Sequence, residues 1–239
     1  MKPQLISSFE TGKHNADLTA TLSRLEKNGA YKDLSTIVLI PALGSVPTKA
    51  VASWWNLYFP PNQKVVKIFA VGMEVGAAYS DCVNLILSHP ELSQFKYLIT
   101  LEHDNIPPPD GVIRLLEQME NNQQYAAIGG LYFTKGEGGV AQIWGNPMEH
   151  PLNFKPQLPQ PGKLVECCGT GMGFTAFRTE MFKDDRLRKP WFKTAASLQE
   201  GVYTQDLYFW TDARKHGYRC AIDCTIQVGH YDNQSDIIW

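Results

Sequence analysis

The most informative segment of the chain is an apolar run that ends in acidic residues and reads Tyr97-Leu98-Ile99-Thr100-Leu101-Glu102-His103-Asp104-Asn105. A short apolar run of this kind is typical of a buried strand. In open α/β sheets, ligands bind beyond the carboxyl ends of the strands. Glu102 and Asp104 are therefore predicted to lie at a ligand-binding edge, and their spacing puts both side chains on one face of an extended chain.

Two carboxylates this close repel each other unless a cation or another partner lies between them. A hard divalent ion with oxygen ligands meets that requirement. The structural alternative is a strand that ends in a polar loop, in which Asp104 or Asn105 shapes the turn before Pro107-Pro108-Pro109. These residues alone leave both interpretations open.

Predicted strands and helices alternate on either side of this segment. Strands are indicated at 36–40, 65–71 and 125–130, and helices at 50–58, 77–88 and 111–120. This order predicts an α/β fold, in which a parallel sheet is covered by helices on both faces. Residues 1–34 are polar and mixed, with a weak helical pattern over 17–27, and are predicted to form an N-terminal arm or helix.

The second half of the chain has a different composition. Glycine and proline dominate from 131 to 192, and a long segment of this kind inside a compact domain is usually functional. A helix over 204–216 and strands over 219–222 and 225–228 are predicted to complete the fold. Residues 35–239 are nevertheless predicted to form a single domain.

Other candidate functional residues lie in this second half. Asp206 opens the last helix, where the dipole favours an acid and keeps it ionised, as a general base requires. His230 follows a strand and Gly229, so it can reach into a cleft. Trp191 lies in a predicted loop, where an aromatic ring either stacks against a bound sugar or fills the core. The structural alternatives are an acid that only caps its helix and a histidine that only hydrogen-bonds.

The composition excludes several classes of protein. The chain has 239 residues, 44% of them hydrophobic, and a net charge of -2, which argues against a disordered chain and against generic nucleic-acid binding. The chain shows no signal peptide and no apolar stretch able to cross a bilayer of about 30 Å, so we expect no membrane span and a cytoplasmic location. Its five cysteines lack a zinc-site spacing and are predicted to be free thiols in a reducing compartment.

Taken in order, these motifs resemble the GT-A glycosyltransferases, particularly the inverting, family-2-like type in its short bacterial and phage versions. The resemblance covers roughly residues 37–232. It is carried by the run 98–109, by Gly169-Thr170-Gly171-Met172-Gly173-Phe174, by Gln205-Asp206-Leu207-Tyr208-Phe209 and by Gly229-His230.

The resemblance implies a GT-A (Rossmann-like) fold: a mostly parallel central sheet flanked by helices, with a small C-terminal subregion on the acceptor side. Residues 35–131 would form the nucleotide-sugar half, and residues 132–239 the acceptor and catalytic half. The donor would be a nucleotide sugar, with UDP or GDP as its nucleotide. The acceptor would be a glycan, a lipid, a protein or a modified base.

Roles for single residues follow from the same resemblance. Asp206 matches the catalytic base of inverting members, and Mn²⁺ or Mg²⁺ would be held by Glu102, Asp104 and His230. The residues that would bind the nucleotide are Pro41, Ala42, Val71, Glu102 and His103. Those that would bind the sugar or the acceptor are Gly171, Trp191 and Gln205.

Three positions depart from the family pattern. The first acid of the DxD-like motif is Glu102, and the usual Glu-Asp pair is Gln205-Asp206. An Arg-Asn pair that many relatives carry after the second strand is replaced by residues of the run Gly76-Ala77-Ala78-Tyr79-Ser80. The alternatives are a retaining GT-A enzyme, a non-catalytic nucleotide- or sugar-binding module on the same scaffold, and a nucleotidyltransferase, which would need a basic loop that 42–46 does not offer.

Overall fold

The computed structural model describes residues 4–7, 32–197 and 201–239. The strands of these ranges are β1 (Gln4–Ser7), β2 (Thr36–Ala42), β3 (Val65–Val71), β4 (Tyr97–Leu101), β5 (Asn105–Ile106), β6 (Ala127–Leu131), β7 (Ile143–Trp144), β8 (Leu164–Cys167), β9 (Gly169–Thr170), β10 (Phe174–Arg178), β11 (Ala195–Ser197), β12 (Gly201–Tyr203), β13 (Cys220–Gln227), β14 (Gly229–Asp232) and β15 (Ile237–Ile238). The α-helices are α1 (Thr48–Trp55), α2 (Val75–Ser88), α3 (Gly111–Asn121) and α4 (Gln205–Ala213). Short 3₁₀ turns cover Leu92–Gln94, Thr179–Lys183 and Arg214–His216.

The central sheet has the strand order β1-β3-β2-β4-β10-β6-β13-β8. Within it β2, β3, β4, β6 and β13 run in one direction, and β1, β8 and β10 run in the other. Helices α1, α2 and α3 connect the strands of the first half. The predicted α/β fold with a mostly parallel sheet flanked by helices is therefore confirmed.

Both faces of the sheet are buried. On β2, Ile37 and Leu39 pack into the core on one side, and Val38 and Ile40 pack into the core on the other. Successive side chains of a strand point to opposite faces, so a strand that is covered on both sides must be apolar at every position. This explains the continuous apolar run that the sequence shows there.

One of the two cores is built around aromatic rings. Phe209 stacks on Phe192 at 4.7 Å between centroids and meets Trp210 edge-on at 5.1 Å. Phe177, on β10, lies 6.0 Å from both Phe209 and Trp210. Large buried aromatic side chains contribute strongly to stability, so this cluster ties α4 to the middle of the sheet.

Two strands in the second half of the chain differ from the sequence prediction. β10 is inserted antiparallel between β4 and β6, where the glycine-rich run indicated no strand. The two strands predicted over 219–228 are one strand, β13, with a register shift between Asp223 and Gln227. Asp223 Oδ1 accepts hydrogen bonds from Thr225 N at 2.8 Å and Thr225 Oγ1 at 2.6 Å, which holds the irregular turn of backbone inside the strand.

The N-terminal segment contributes an edge strand that the sequence did not indicate. β1 pairs antiparallel with β3. The helical pattern predicted over 17–27 lies outside the described residues. The longest helix of the described ranges, α2, has 14 residues, whereas a bilayer span needs about 20, and none of the helices there meets the requirement for crossing a membrane.

All five cysteines are buried free thiols. Cys167 and Cys220 are directly opposite each other on β8 and β13, with their Sγ atoms 3.8 Å apart.

Phe177→Ala tests the aromatic core. Loss of a fully buried ring leaves a cavity, and we expect the free energy of unfolding to fall by about 3–5 kcal/mol. Leu158→Ala is the matched control, because Leu158 is 86% exposed and should change stability by less than about 0.5 kcal/mol. Urea unfolding followed by far-UV circular dichroism measures both; equal stabilities of the two variants would contradict the assignment.

Candidate functional site

The candidate site lies beyond the carboxyl ends of β2, β3 and β4, which run side by side in the same direction. A cavity of about 380 Å³ opens there. Its lining residues are Pro41, Ala42, Leu43, Met73, Glu74, Val75, Glu102, His103, Asp104 and Gln205. Six residues predicted from the sequence are thus brought together, because parallel strands end at the same edge of a sheet.

Asp104 and His230 are adjacent, although they are far apart in the sequence. β14 pairs antiparallel with β5, so that His230 lies opposite Asn105, and Tyr231 N donates a 2.8 Å hydrogen bond to Asp104 O. His230 Nε2 is 3.5 Å from Asp104 Oδ2. Backbone pairing, and not side-chain attraction alone, therefore fixes the distance between the imidazole and the carboxylate.

The ring of His230 is held in one orientation. Its Nδ1 lies 2.7 Å from Phe133 O, and a carbonyl oxygen can only accept, so Nδ1 carries a hydrogen. Tyr132 packs edge-on against the imidazole, with ring centroids 5.6 Å apart. Nε2 is consequently the nitrogen that faces Asp104.

Lys135 is the second side chain that contacts the carboxylate of Asp104. Its Nζ lies 2.5 Å from Asp104 Oδ2. Burial alone would raise the pKa of Asp104, but the hydrogen bonds from His230 and Lys135 outweigh it and hold that pKa well below its usual range. Sequence reasoning missed Lys135, because a single lysine in a glycine-rich turn carries no motif.

Glu102 is in a different environment from Asp104. Its Oε1 lies 3.5 Å from both Tyr79 Oη and Gln205 Nε2. Burial, followed by the negative charges of Asp104 and Asp206, raises the pKa of Glu102 to about 8. Glu102 and Asp104 are thus driven toward opposite protonation states.

Asp206 lies in the first turn of α4 and is only 6% exposed. Burial raises its pKa, while hydrogen bonds from the Thr204 side chain and from backbone N–H groups oppose that rise. Asp206 Oδ1 has no hydrogen-bond partner among the described residues. A buried carboxylate oxygen without a partner is unusual in a native protein.

Gly171 and Gly173 make room for Tyr132. A Cβ on Gly171 would overlap the Tyr132 hydroxyl, and Gly173 N donates a 2.8 Å hydrogen bond to that hydroxyl oxygen. Because Tyr132 in turn packs on His230, the glycine-rich run acts on the site through this ring. Sequence reasoning missed Tyr132, which follows β6 without any motif of its own.

Five predicted site residues are not among those that line the cavity: Val71, Gly171, Trp191, Asp206 and His230. Trp191 is 2% exposed and packs against Phe182 in the aromatic core. Val71 ends β3 and pairs in register with Ala42.

The fit of a divalent cation depends on Asp104 and His230. The residues described by the structure contain no group of three or more His, Cys, Asp or Glu side chains placed to hold a metal ion. The pair itself suits the role, because metal-binding histidines usually anchor their other ring N–H on a carbonyl or carboxylate, as Nδ1 does here. Asp104 and His230 would therefore hold a cation only together with ligands from a bound substrate or water.

Comparison with known proteins identifies the fold. No protein-family model matches the chain, and no curated protein matches it either. Among solved structures, the crystal structure of A197 from STIV matches with a TM-score of 0.60 and 17% sequence identity, over 85% of this chain and 92% of that chain. The fold is GT-A-like.

Glu102→Gln tests the electrostatics of the site. Burial raises the pKa of this carboxyl group to about 8 in the folded protein, whereas in an unfolded chain its pKa is about 4.3. Between these values the folded state keeps a proton that the unfolded state has lost, so stability falls as the pH rises through this range. Glutamine has no proton to lose, so the variant lacks this pH dependence. Its free energy of unfolding, relative to that of the parent, should therefore rise by at least about 1 kcal/mol between pH 5 and pH 9.

Urea unfolding in the presence of EDTA at the two pH values measures this difference. Glu117→Gln, on the exposed surface of α3, is the matched control for removal of one carboxylate. A Glu102→Gln variant that is equally stable relative to the parent at both pH values would contradict the environment described for Glu102.

Proposed function

We propose that this protein transfers a sugar from a nucleotide-sugar donor to an acceptor hydroxyl, with inversion at the anomeric carbon and with Mn²⁺ or Mg²⁺ as its cofactor. The observation that carries the proposal is the meeting of Asp104 and His230, from distant parts of the sequence, beside the cavity at the strand ends of a GT-A-like fold. Neither side chain is needed for the core, and each exposes about one-sixth of its surface.

The cavity supports the binding of a nucleotide. Its volume of about 380 Å³ lies within the range of about 300–1,000 Å³ that is usual for small-ligand sites. Pro41 and Ala42, with Val71 beside them, would contact the nucleoside of a UDP- or GDP-sugar from the apolar side. His103 and Glu102 would offer the polar groups that its ribose needs.

Asp104 and His230 would hold the cation. When bound, the ion supplies positive charge to the departing diphosphate. Asp104 suits this part because its low pKa keeps the carboxylate ionised. His230 suits it because Nδ1 is occupied by Phe133 O, so that Nε2, the nitrogen facing Asp104, would be the coordinating atom.

Asp206 would act as the general base. A base works best when its pKa is close to the working pH, and burial moves the pKa of Asp206 upward from the usual value of an aspartate. Its unpartnered Oδ1 can accept the proton of the acceptor hydroxyl, whose oxygen then attacks the anomeric carbon as the bond to the diphosphate breaks. Gln205 would lie on the acceptor side, whereas Gly171 and Trp191 would contribute only through packing.

The second candidate is a non-catalytic nucleotide- or sugar-binding module. Two observations favour it: Lys135 already neutralises Asp104, and only one acid opens α4. Release of nucleotide from a donor in the presence of Mn²⁺ distinguishes an enzyme from such a module.

Asp206→Asn tests the proposed base. The amide keeps the shape of the side chain but cannot take up a proton, so we expect transfer or donor hydrolysis to fall by roughly 100- to 10,000-fold. The assay is nucleotide release from UDP-glucose, UDP-N-acetylglucosamine and GDP-mannose, with NMR of the product anomer. Asp185→Asn, at a side chain that is 96% exposed, is the control. Unchanged turnover of a folded Asp206→Asn protein would reject the role, and a retained anomer would reject inversion.

Asp104→Ala tests the proposed cation site. Removal of the carboxylate takes away the charged ligand, and we expect calorimetry with UDP present to show at least about a tenfold loss of Mn²⁺ affinity, equivalent to about 1.4 kcal/mol. Asp185→Ala serves as the control for loss of one surface carboxylate. Equal Mn²⁺ affinity in Asp104→Ala and the parent would place the cation elsewhere.

A further inference from the structure

The first turn of α2 is closed to a phosphate group. Glu74 caps it, with Oε2 accepting a 2.9 Å hydrogen bond from Ala77 N and Oε1 accepting a 2.7 Å bond from Thr194 Oγ1. Gly76 is packed so closely that a Cβ there would lie 2.9 Å from Lys193 Cα. Helix N-termini attract anions, but this one already holds a carboxylate of its own chain and is covered by a loop.

The cavity itself lacks a positive side chain that could meet a diphosphate. Its ten described lining residues include the acids Glu74, Glu102 and Asp104 but no lysine or arginine. A donor diphosphate that entered would therefore meet no lysine or arginine among these lining residues. The cation that balances it must come from the rim of the cavity or from a bound metal ion.

Lys135 is positioned at that rim. It belongs to a tight turn that follows β6, closed by hydrogen bonds from Thr134 N to Val140 O at 2.9 Å and from Gly139 N to Gly136 O at 3.1 Å. Its Nζ contacts Asp104 Oδ2 at 2.5 Å, and one-third of the side chain is exposed. A lysine has a long flexible stem and binds phosphate as a point charge, so its ammonium group can change partners without a change in the backbone.

We propose that Lys135 is the diphosphate-binding residue of this protein, in place of the basic residue that α2 lacks. This inference rests on the proposed function. Before the donor binds, Lys135 neutralises Asp104. A divalent cation and the ammonium group would compete for the same carboxylate oxygen, since like charges repel at that distance. When the cation and the donor bind together, Lys135 leaves Asp104 and pairs with the phosphate oxygens.

The proposal predicts two opposite effects of Lys135→Met. Mn²⁺ alone should bind the variant more tightly than the parent, because its competitor for Asp104 is gone. UDP and GDP, each titrated with saturating Mn²⁺, should bind the variant about tenfold more weakly, because one charge-assisted bond to phosphate is lost. Lys135→Arg should keep diphosphate affinity within about threefold of the parent, because a guanidinium group also binds phosphate.

Isothermal calorimetry measures both bindings, and uridine and guanosine, which lack phosphates, test whether the effect is confined to the diphosphate. Lys155→Met, at an exposed lysine, is the matched control for loss of charge. Thermal melting confirms that each variant is folded. Should Lys135→Met unfold, Lys135→Gln replaces it with the same expectations.

Each result has a definite meaning. Tighter Mn²⁺ binding together with weaker UDP or GDP binding in Lys135→Met supports the proposal. When the parent binds UDP or GDP, an Mn²⁺ affinity that does not rise or a nucleotide affinity that does not fall in Lys135→Met overturns the proposal and leaves the proposed function standing. Absence of UDP and GDP binding by the parent itself, with Mn²⁺ present, overturns both.

Discussion

The charge on Asp104 is the constraint around which the site is built. A carboxylate at the end of a buried strand is costly unless positive or hydrogen-bonding groups face it, and the ammonium group of Lys135 and the imidazole of His230 both do so. Both side chains come from parts of the sequence distant from Asp104. Lys135 follows β6, and His230 is positioned by the pairing of β14 with β5. The three-stranded sheet of β5, β14 and β15 therefore fixes the position of His230 through backbone hydrogen bonds, as the central sheet fixes the positions of the core residues.

Three carboxyl groups lie close together and differ in their proton affinity. Asp104 is held ionised by its hydrogen bonds with Lys135 and His230, whereas burial raises the pKa of Glu102 and of Asp206. Environments that push neighbouring acids apart in pKa are a common way to give one site both a charged ligand and a group that exchanges protons. In this protein the separation follows from contacts: Asp104 faces the ammonium group of Lys135 and the imidazole of His230, and Glu102 faces the neutral groups of Tyr79 and Gln205.

The sequence was informative where structure is local and much less so where it depends on distant partners. The strand 97–101 and the flanking helices follow from hydrophobic pattern, and the parallel arrangement follows from their order. β10 was hidden by the glycines before it, although its own residues, Phe174–Arg178, are largely apolar. Lys135 and Tyr132 could not be predicted as site residues, because what places them is a turn and a packing contact with segments far along the chain. The same limit applies to Trp191, whose type suits a sugar site but whose surroundings are the core.

The lack of a basic residue in α2 has a physical explanation in the loop that covers the start of this helix. Ser80 Oγ donates a hydrogen bond to Phe192 O at 2.9 Å and accepts one from Phe192 N at 3.0 Å. These two bonds hold α2 against the segment that contributes Phe192 to the aromatic core. Tyr79, one residue earlier, packs its ring 5.5 Å from Phe192 and directs its hydroxyl toward Glu102. A basic residue aimed at phosphate from this turn would have to displace that packing. α2 therefore supports Glu102 through Tyr79, and the lysine that contacts the carboxylate of Asp104 comes from the turn after β6.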